Sequence, residues 1–177
     1  MADVAARADY YVGEQASLTK TVSESDVSTF ARLIGDQNPI HTDEEYARNS
    51  RFGRRVAHGV FTGGLISAVL GNELPGPGSI YLSQQLEFLA PVFVGDTITA
   101  VVEVTSWRPE KRIITFKTDA YNQEKTQVVT GQSVLMILSL TIFQAGYLLV
   151  TALLPLLSNA TWDLPLGWLF EILVSGL

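Results

Sequence analysis

Six consecutive residues, Asp36-Gln37-Asn38-Pro39-Ile40-His41, put a carboxylate and an imidazole on one short turn. An acid and a base that share a cleft are the minimum equipment for taking a proton from one atom and giving one to another. The plainer alternative is that Asp36 caps a turn and His41 is a loop histidine, because a bend rich in Asp, Asn and Pro forms without any function. A second group stands downstream, where Ala57-His58-Gly59 opens the most apolar internal segment of the chain. A helix that starts there leaves N–H groups without partners at its positive end, and glycine lets an oxygen approach them closely. Gly59 is therefore placed to stabilise a developing oxyanion. The alternative is a tight turn with His58 as a cap. Ser67 follows two turns later, either bonded back to a helix carbonyl or supporting the carboxylate or imidazole. Arg51, Arg54 and Arg55 cluster beside Phe52 and Gly53. They form a solvated loop or a contact to an anionic substrate group.

The totals narrow the chemistry. The chain has 177 residues, enough for one ordinary domain, and a net charge of −6 that argues against a nucleic-acid partner. With no cysteine there is no disulfide framework, thiol nucleophile or thiolate-bound metal. The two histidines, His41 and His58, both fall in the segment just described. Two histidines without cysteine make a poor metal site, so no metal is expected. The first nine residues lack the long apolar run of a signal peptide and the Arg-rich, acid-poor character of a transit peptide, and a cytoplasmic location is expected.

The periodicity supplies the elements that must position these groups. Residues 14–22 alternate as a first strand. From Asp26, the positions Val27, Phe30, Ala31, Leu33 and Ile34 follow helical spacing, and the Asn-Pro pair ends that helix near Asp36. Thr42 to Arg48 carries acids in its first turn and a base in its last, as a short helix does. The segment 59–71 is apolar all round, which predicts a fully buried helix with a backbone packed against Gly63 and Gly64. After the turn Pro75-Gly76-Pro77-Gly78 the period changes to two. Strands are predicted over 79–88, 97–107, 112–121 and 126–137, with gaps short enough for consecutive strands to be antiparallel neighbours. The fold class is α+β, a curved five-stranded antiparallel sheet wrapped around one central helix.

These residues carry a resemblance. Asp36-x-Asn38-Pro39-x-His41, then Ala57-His58-Gly59 and Ser67, resemble the motif of the MaoC-like (R)-specific enoyl-CoA hydratases and the related 3-hydroxyacyl-thioester dehydratases type 2. Leu74-Pro75-Gly76-Pro77-Gly78-Ser79-Ile80-Tyr81-Leu82 and Pro91-Val92-Phe93-Val94-Gly95-Asp96 are also similar to that family. The resemblance covers about residues 11 to 137 and implies a single hot-dog fold, usually dimeric, with the active site near the subunit interface. It implies reversible syn addition of water to a trans-2-enoyl thioester of coenzyme A or acyl carrier protein, with no cofactor. Asp36 and His41 would activate water, Gly59 would polarise the thioester carbonyl and Ser67 would support the site. Asn38, His58 and Leu70 would meet the substrate, the acyl chain passing Ser67 and Leu70, and Arg54 or Arg55 would meet the pantetheine or its phosphates. Two rival readings stay open: a hot-dog thioesterase, and a membrane-tethered acyl-thioester binding module without catalysis.

Residues 1–137 are expected to form the hydratase domain and 138–177 an extension of different character. Between Lys125 and Asp163 there is no charged residue. The stretch 138–157 has the length of a membrane span, although Gln144 and Pro155 interrupt it. A membrane anchor, a helix packed on the sheet or at an oligomer contact, and a non-functional extension are the three readings of that segment.

Overall fold

The computed structural model describes residues 9–138. Along the chain come β1 (Gln15–Thr21), α1 (Glu24–Ile34), α2 (Pro39–Thr42), α3 (Glu44–Arg48), α4 (Gly59–Asn72), β2 (Ser79–Phe88), β3 (Thr97–Arg108), β4 (Ile113–Tyr121) and β5 (Gln127–Ile137). Alternation marks the inner strands because they bury one face: along β3, Ile98, Ala100, Val102 and Val104 are fully buried and the residues between them are not. The strands form one antiparallel sheet in the order β1-β3-β4-β5-β2. Helix α4 lies on it, and Leu65, Ile66, Val69 and Leu70 join the buried residues of β3, β4 and β5 in the core.

The sheet order corrects one expectation. β2 pairs with β5 and not with its successor β3. The connection between β2 and β3 acts as a strap and not as a hairpin loop. Its Val92 carbonyl accepts from Ala57 N at 2.7 Å, Phe93 bridges to Val56, and Gly95 N donates to Val22 O at 2.8 Å. Asp96 closes the strap by accepting from Phe93 N at 2.9 Å. The strap thus ties the segment before α4 to the end of β1, and β2 is left as an edge.

Helix α4 is also not buried all round. Thr62, Leu65, Ile66, Val69 and Leu70 are buried, whereas Val60, Gly64, Ser67 and Gly71 face outward. The packing against glycine is by a side chain: a Cβ at Gly63 would lie 2.8 Å from Leu86 Cδ1, and nothing comes near Gly64. In α1 the buried positions are Val27 and Ala31, while Leu33 and Ile34 are exposed. Among the described residues no helix is long and apolar enough to cross a membrane. Apart from Leu138, the expected extension 138–177 and its span 138–157 lie outside the described residues.

Candidate active site

Helix α1 begins with a capping box between Ser23 and Asp26 and ends at Gly35, whose φ of 81° is a left-handed conformation that costs other residues about 1–2 kcal/mol. Gly35, and not the Asn-Pro pair, therefore sets where the helix stops and where Asp36 emerges. Asp36 Oδ1 then accepts from Asn38 N at 3.1 Å. Asn38 in turn caps α2, its Oδ1 accepting from Ile40 N at 3.2 Å, and Pro39 takes the first helical position. The bend is thus an Asx turn followed by one helical turn that carries His41. The Nδ1–H of His41 donates to the carbonyl of Val56 at 2.7 Å. Because a carbonyl only accepts, the proton sits on Nδ1 and the lone pair on Nε2, where no other protein group among the described residues takes it.

The start of α4 meets this turn from the other side. His58 is 2 % exposed, and its ring stacks on that of His41 with centroids 3.8 Å apart and planes 28° apart. Its Nε2–H donates to the carbonyl of Asp36 at 3.1 Å and lies 3.9 Å from Asp36 Oδ2. Phe30 of α1 packs edge-on against the same ring at 5.3 Å. Gly59, the next residue, is the first of α4, so its N–H belongs to the unpartnered amides of a helix start. A cavity of about 280 Å³ opens against Gly59, walled by Phe52, Val56, Phe88 and Val92, with Arg51 and Thr62 as its polar side chains. Thr62 is 1 % exposed and its Oγ1 has no hydrogen-bond partner among the described residues.

Asp36, His41 and His58 each offer a ligand atom, all within 4.8 Å of one another. A water that makes two ~2.8 Å hydrogen bonds at a tetrahedral angle spans partners about 4.6 Å apart, so a cluster of this size is on the scale that one held water bridges. A metal ion fits less well. The two imidazoles are stacked with their planes 28° apart, so their lone pairs lie in separate, nearly parallel planes, and His58 Nε2 is given to a carbonyl.

The family model for the MaoC like domain matches residues 12–127. The chain belongs to the MaoC-like family. It is 50 % identical over 129 residues to an (R)-specific enoyl-CoA hydratase of Rhodospirillum rubrum, covering 73 % of this chain and 89 % of that protein. It is 30 % identical over 144 residues to a mitochondrial 3-hydroxyacyl-[acyl-carrier-protein] dehydratase of Arabidopsis thaliana, covering 80 % of this chain and 86 % of that one. Among solved structures, the (R)-hydratase from A. caviae superposes with a TM-score of 0.71 at 43 % identity, covering 73 % of this chain and 98 % of that one. The five-stranded sheet with α4 against it is the hot-dog fold of this MaoC-like family.

Not every residue picked out in the sequence joins the site of this MaoC-like chain. Ser67 lies eight residues along α4 from Gly59, about 12 Å at the helical rise, and bonds to neither Asp36 nor His41. It faces outward while Leu70 is fully buried in the core, so the two do not share a substrate-facing stripe. Asn38 spends its side-chain oxygen on the cap of α2. His58 makes no side-chain cap, and its buried ring meets protein on the sides so far described and not solvent. Arg55 is held by Glu24 at 2.6 Å and Glu44 at 3.0 Å, which makes it a tie between α1 and α3 and not an open anion site. The hydrogen bond to Glu24 raises its pKa further, against the effect of burial. Arg54 stacks 3.9 Å over Phe93, and Arg51 4.7 Å over Phe52 beside the cavity. Thr62 and Phe88 went unrecognised in the sequence, as an ordinary helix threonine and a strand aromatic carry no local signal.

Proposed function

We propose that the chain is an (R)-specific enoyl-thioester hydratase and 3-hydroxyacyl-thioester dehydratase, with Asp36, His41 and the Gly59 amide as its catalytic groups. The observation that carries this reading is the Nδ1–H to Val56 hydrogen bond, which leaves the lone pair on Nε2 of a histidine that clusters with Asp36 and His58, one ligand atom of each lying within 4.8 Å of the others, next to an open helix start. A water held between Asp36 and His41 gives its proton to His41 Nε2 as its oxygen bonds to C3 of the enoyl group. Charge moves onto the thioester oxygen, which the Gly59 N–H and the positive end of α4 stabilise. Asp36, as the acid, delivers a proton to C2 on the same face, and it regains one from His41 through solvent, since its side chain is 48 % exposed. Addition of both groups from one face makes the reaction syn, and every step runs backward for dehydration.

A thioester with its carbonyl at Gly59 has its neighbouring atoms in the apolar cavity, where the Thr62 hydroxyl is free to meet a polar atom. Gly59 lies beneath Phe88 and Gly63, one helical turn on, beneath Leu86 of β2, which supports an acyl path along that side of α4 in place of one past Leu70. The carrier is a phosphopantetheine thioester, of coenzyme A or of acyl carrier protein. The edge strand β2, with Ile80, Tyr81, Leu82 and Phe88 exposed, and Leu89 exposed just after it, supports a homodimer closed over this edge. Sedimentation of the full chain tests the dimer, which a monomer at assay concentration rules out. For the reaction, turnover of enoyl-CoA and enoyl-carrier-protein substrates is compared: loss of the conjugated enoyl absorbance without free thiol supports hydration. Thiol release would make the chain a thioesterase, and binding without turnover a carrier module.

A further inference from the structure

We propose that His58 is a positioning residue for the reaction: it fixes the turn that presents Asp36 and backs the ring of His41. The inference rests on the reading of Asp36 and His41 as the catalytic pair. Four contacts meet on this one buried ring. Its Nε2–H holds the Asp36 carbonyl at 3.1 Å, which ties the start of α4 to the exposed turn after α1. Its face supports His41 at 3.8 Å between centroids, and Phe30 braces it edge-on at 5.3 Å. His58 Nε2 also lies 3.9 Å from Asp36 Oδ2, the carboxylate oxygen that Asn38 N does not hold.

The remaining ring atom is informative as well. His58 Nδ1 is buried and has no hydrogen-bond partner among the described residues. An acceptor at Nε2 and none at Nδ1 put the single proton on Nε2, so His41 and His58 hold opposite tautomers. A neutral imidazole face against His41 is compatible with a positive charge there when His41 takes the water proton, as an aromatic face attracts a cation. A phenyl ring at 58 would keep the stack and lose the hold on Asp36. Glutamine would keep a donor at the same reach and lose the stack. A residue that only filled space would accept the phenyl ring.

The chain contains only these two histidines, so both can be observed separately. In untagged full-length protein, imidazole ¹H–¹⁵N correlations are expected to show His41 protonated on Nδ1 and His58 on Nε2. The same tautomer at both would overturn the proposal. Turnover of crotonyl-CoA by H58F should fall on the order of tenfold to a hundredfold in kcat with KM nearly unchanged, because small misplacement of a reacting group costs rates of that size. H58Q should recover part of that loss. In a His41→Ala background, H58F should cost less than in the parent, because only the hold on Asp36 remains to be lost. A folded H58F with the kcat of the parent, or an equal loss in both backgrounds, overturns the positioning role. If Asp36→Asn and His41→Ala leave turnover intact, it is the catalytic assignment that fails.

Discussion

Two aspartates of this molecule show opposite uses of a carboxylate. Asp119, on β4, is 7 % exposed and accepts from Thr130 at 2.7 Å, Gln127 at 2.8 Å, Lys117 at 2.9 Å and Tyr121 at 3.3 Å. A carboxylate offers about four acceptor sites, and all of them are used. Burial raises the Asp119 pKa, but Lys117 and the surrounding hydroxyls outweigh it and leave it below its ordinary value. Asp36 is half exposed and receives one backbone N–H, with His58 3.9 Å from its other oxygen. The buried and satisfied acid stabilises the sheet, while the exposed and unsatisfied one retains the capacity to handle a proton.

The largest expected effect separates the two directly. Asp36→Asn and His41→Ala should lower kcat/KM by about 10³-fold, the scale of a lost general acid or base, whereas Asp119→Asn should leave turnover near that of the parent. Steady-state hydration rates check this, and a large loss in the Asp119 variant would erase the distinction. The same contrast recurs in two glycines. A Cβ at Gly131 would lie 2.0 Å from the Gln85 carbonyl oxygen, a backbone atom, so Gly131→Ala should cost about 3 kcal/mol or more of stability. A Cβ at Gly59 would lie 2.8 Å from the Phe88 ring, a half-exposed side chain and not a backbone atom. Gly59→Ala should therefore melt near the parent temperature yet lose turnover, and thermal melts beside rate measurements distinguish the two.

Smaller effects concern pH and charge. The folded pKa of Asp119 lies below the ordinary 3.8, so its contribution to stability is complete above that value and is lost as pH falls through the folded value. Asp119→Asn should be less stable than the parent at neutral pH, with the gap closing in acid. Denaturant titrations at both ends of that range would show it, and a constant gap would contradict the linkage. Smallest of all, Arg55→Gln should reduce stability by about 1 kcal/mol and leave KM unchanged, since its guanidinium already serves Glu24 and Glu44.

What could be read in the sequence follows from the range of the forces involved. Strands β3 to β5 were legible within a residue or two because burial on one face leaves apolar residues at alternating positions, and β2, which has no buried residue, was legible from its composition between the turn 75–78 and Pro91. The partner of β2 was not, because the strap from Leu89 to Asp96 is fixed by contacts to Val22, Val56 and Ala57 that no local pattern encodes. Asp36, His41 and Gly59 could be selected by type and spacing, and the structure brings the start of α4 to the turn that carries the pair. His58 could be named but not given its role, because its partners Asp36 and His41 lie 22 and 17 residues away and reach it only through the packing of α1 on α4. Leu70 failed for the opposite reason: a shared spacing with Ser67 does not say which side of the helix the sheet will cover.

The central claim is that water held by Asp36 and His41 adds to an enoyl thioester polarised at Gly59. Its most direct test is the full-length chain with crotonyl-CoA, followed at once by enoyl absorbance, free thiol and the configuration of the product. The predicted result is loss of absorbance to an equilibrium, no thiol, and (R)-3-hydroxybutyryl-CoA formed at a rate that the His41→Ala variant lowers by about 10³-fold. Thiol release, an (S) product, or an undiminished rate in that variant would contradict it.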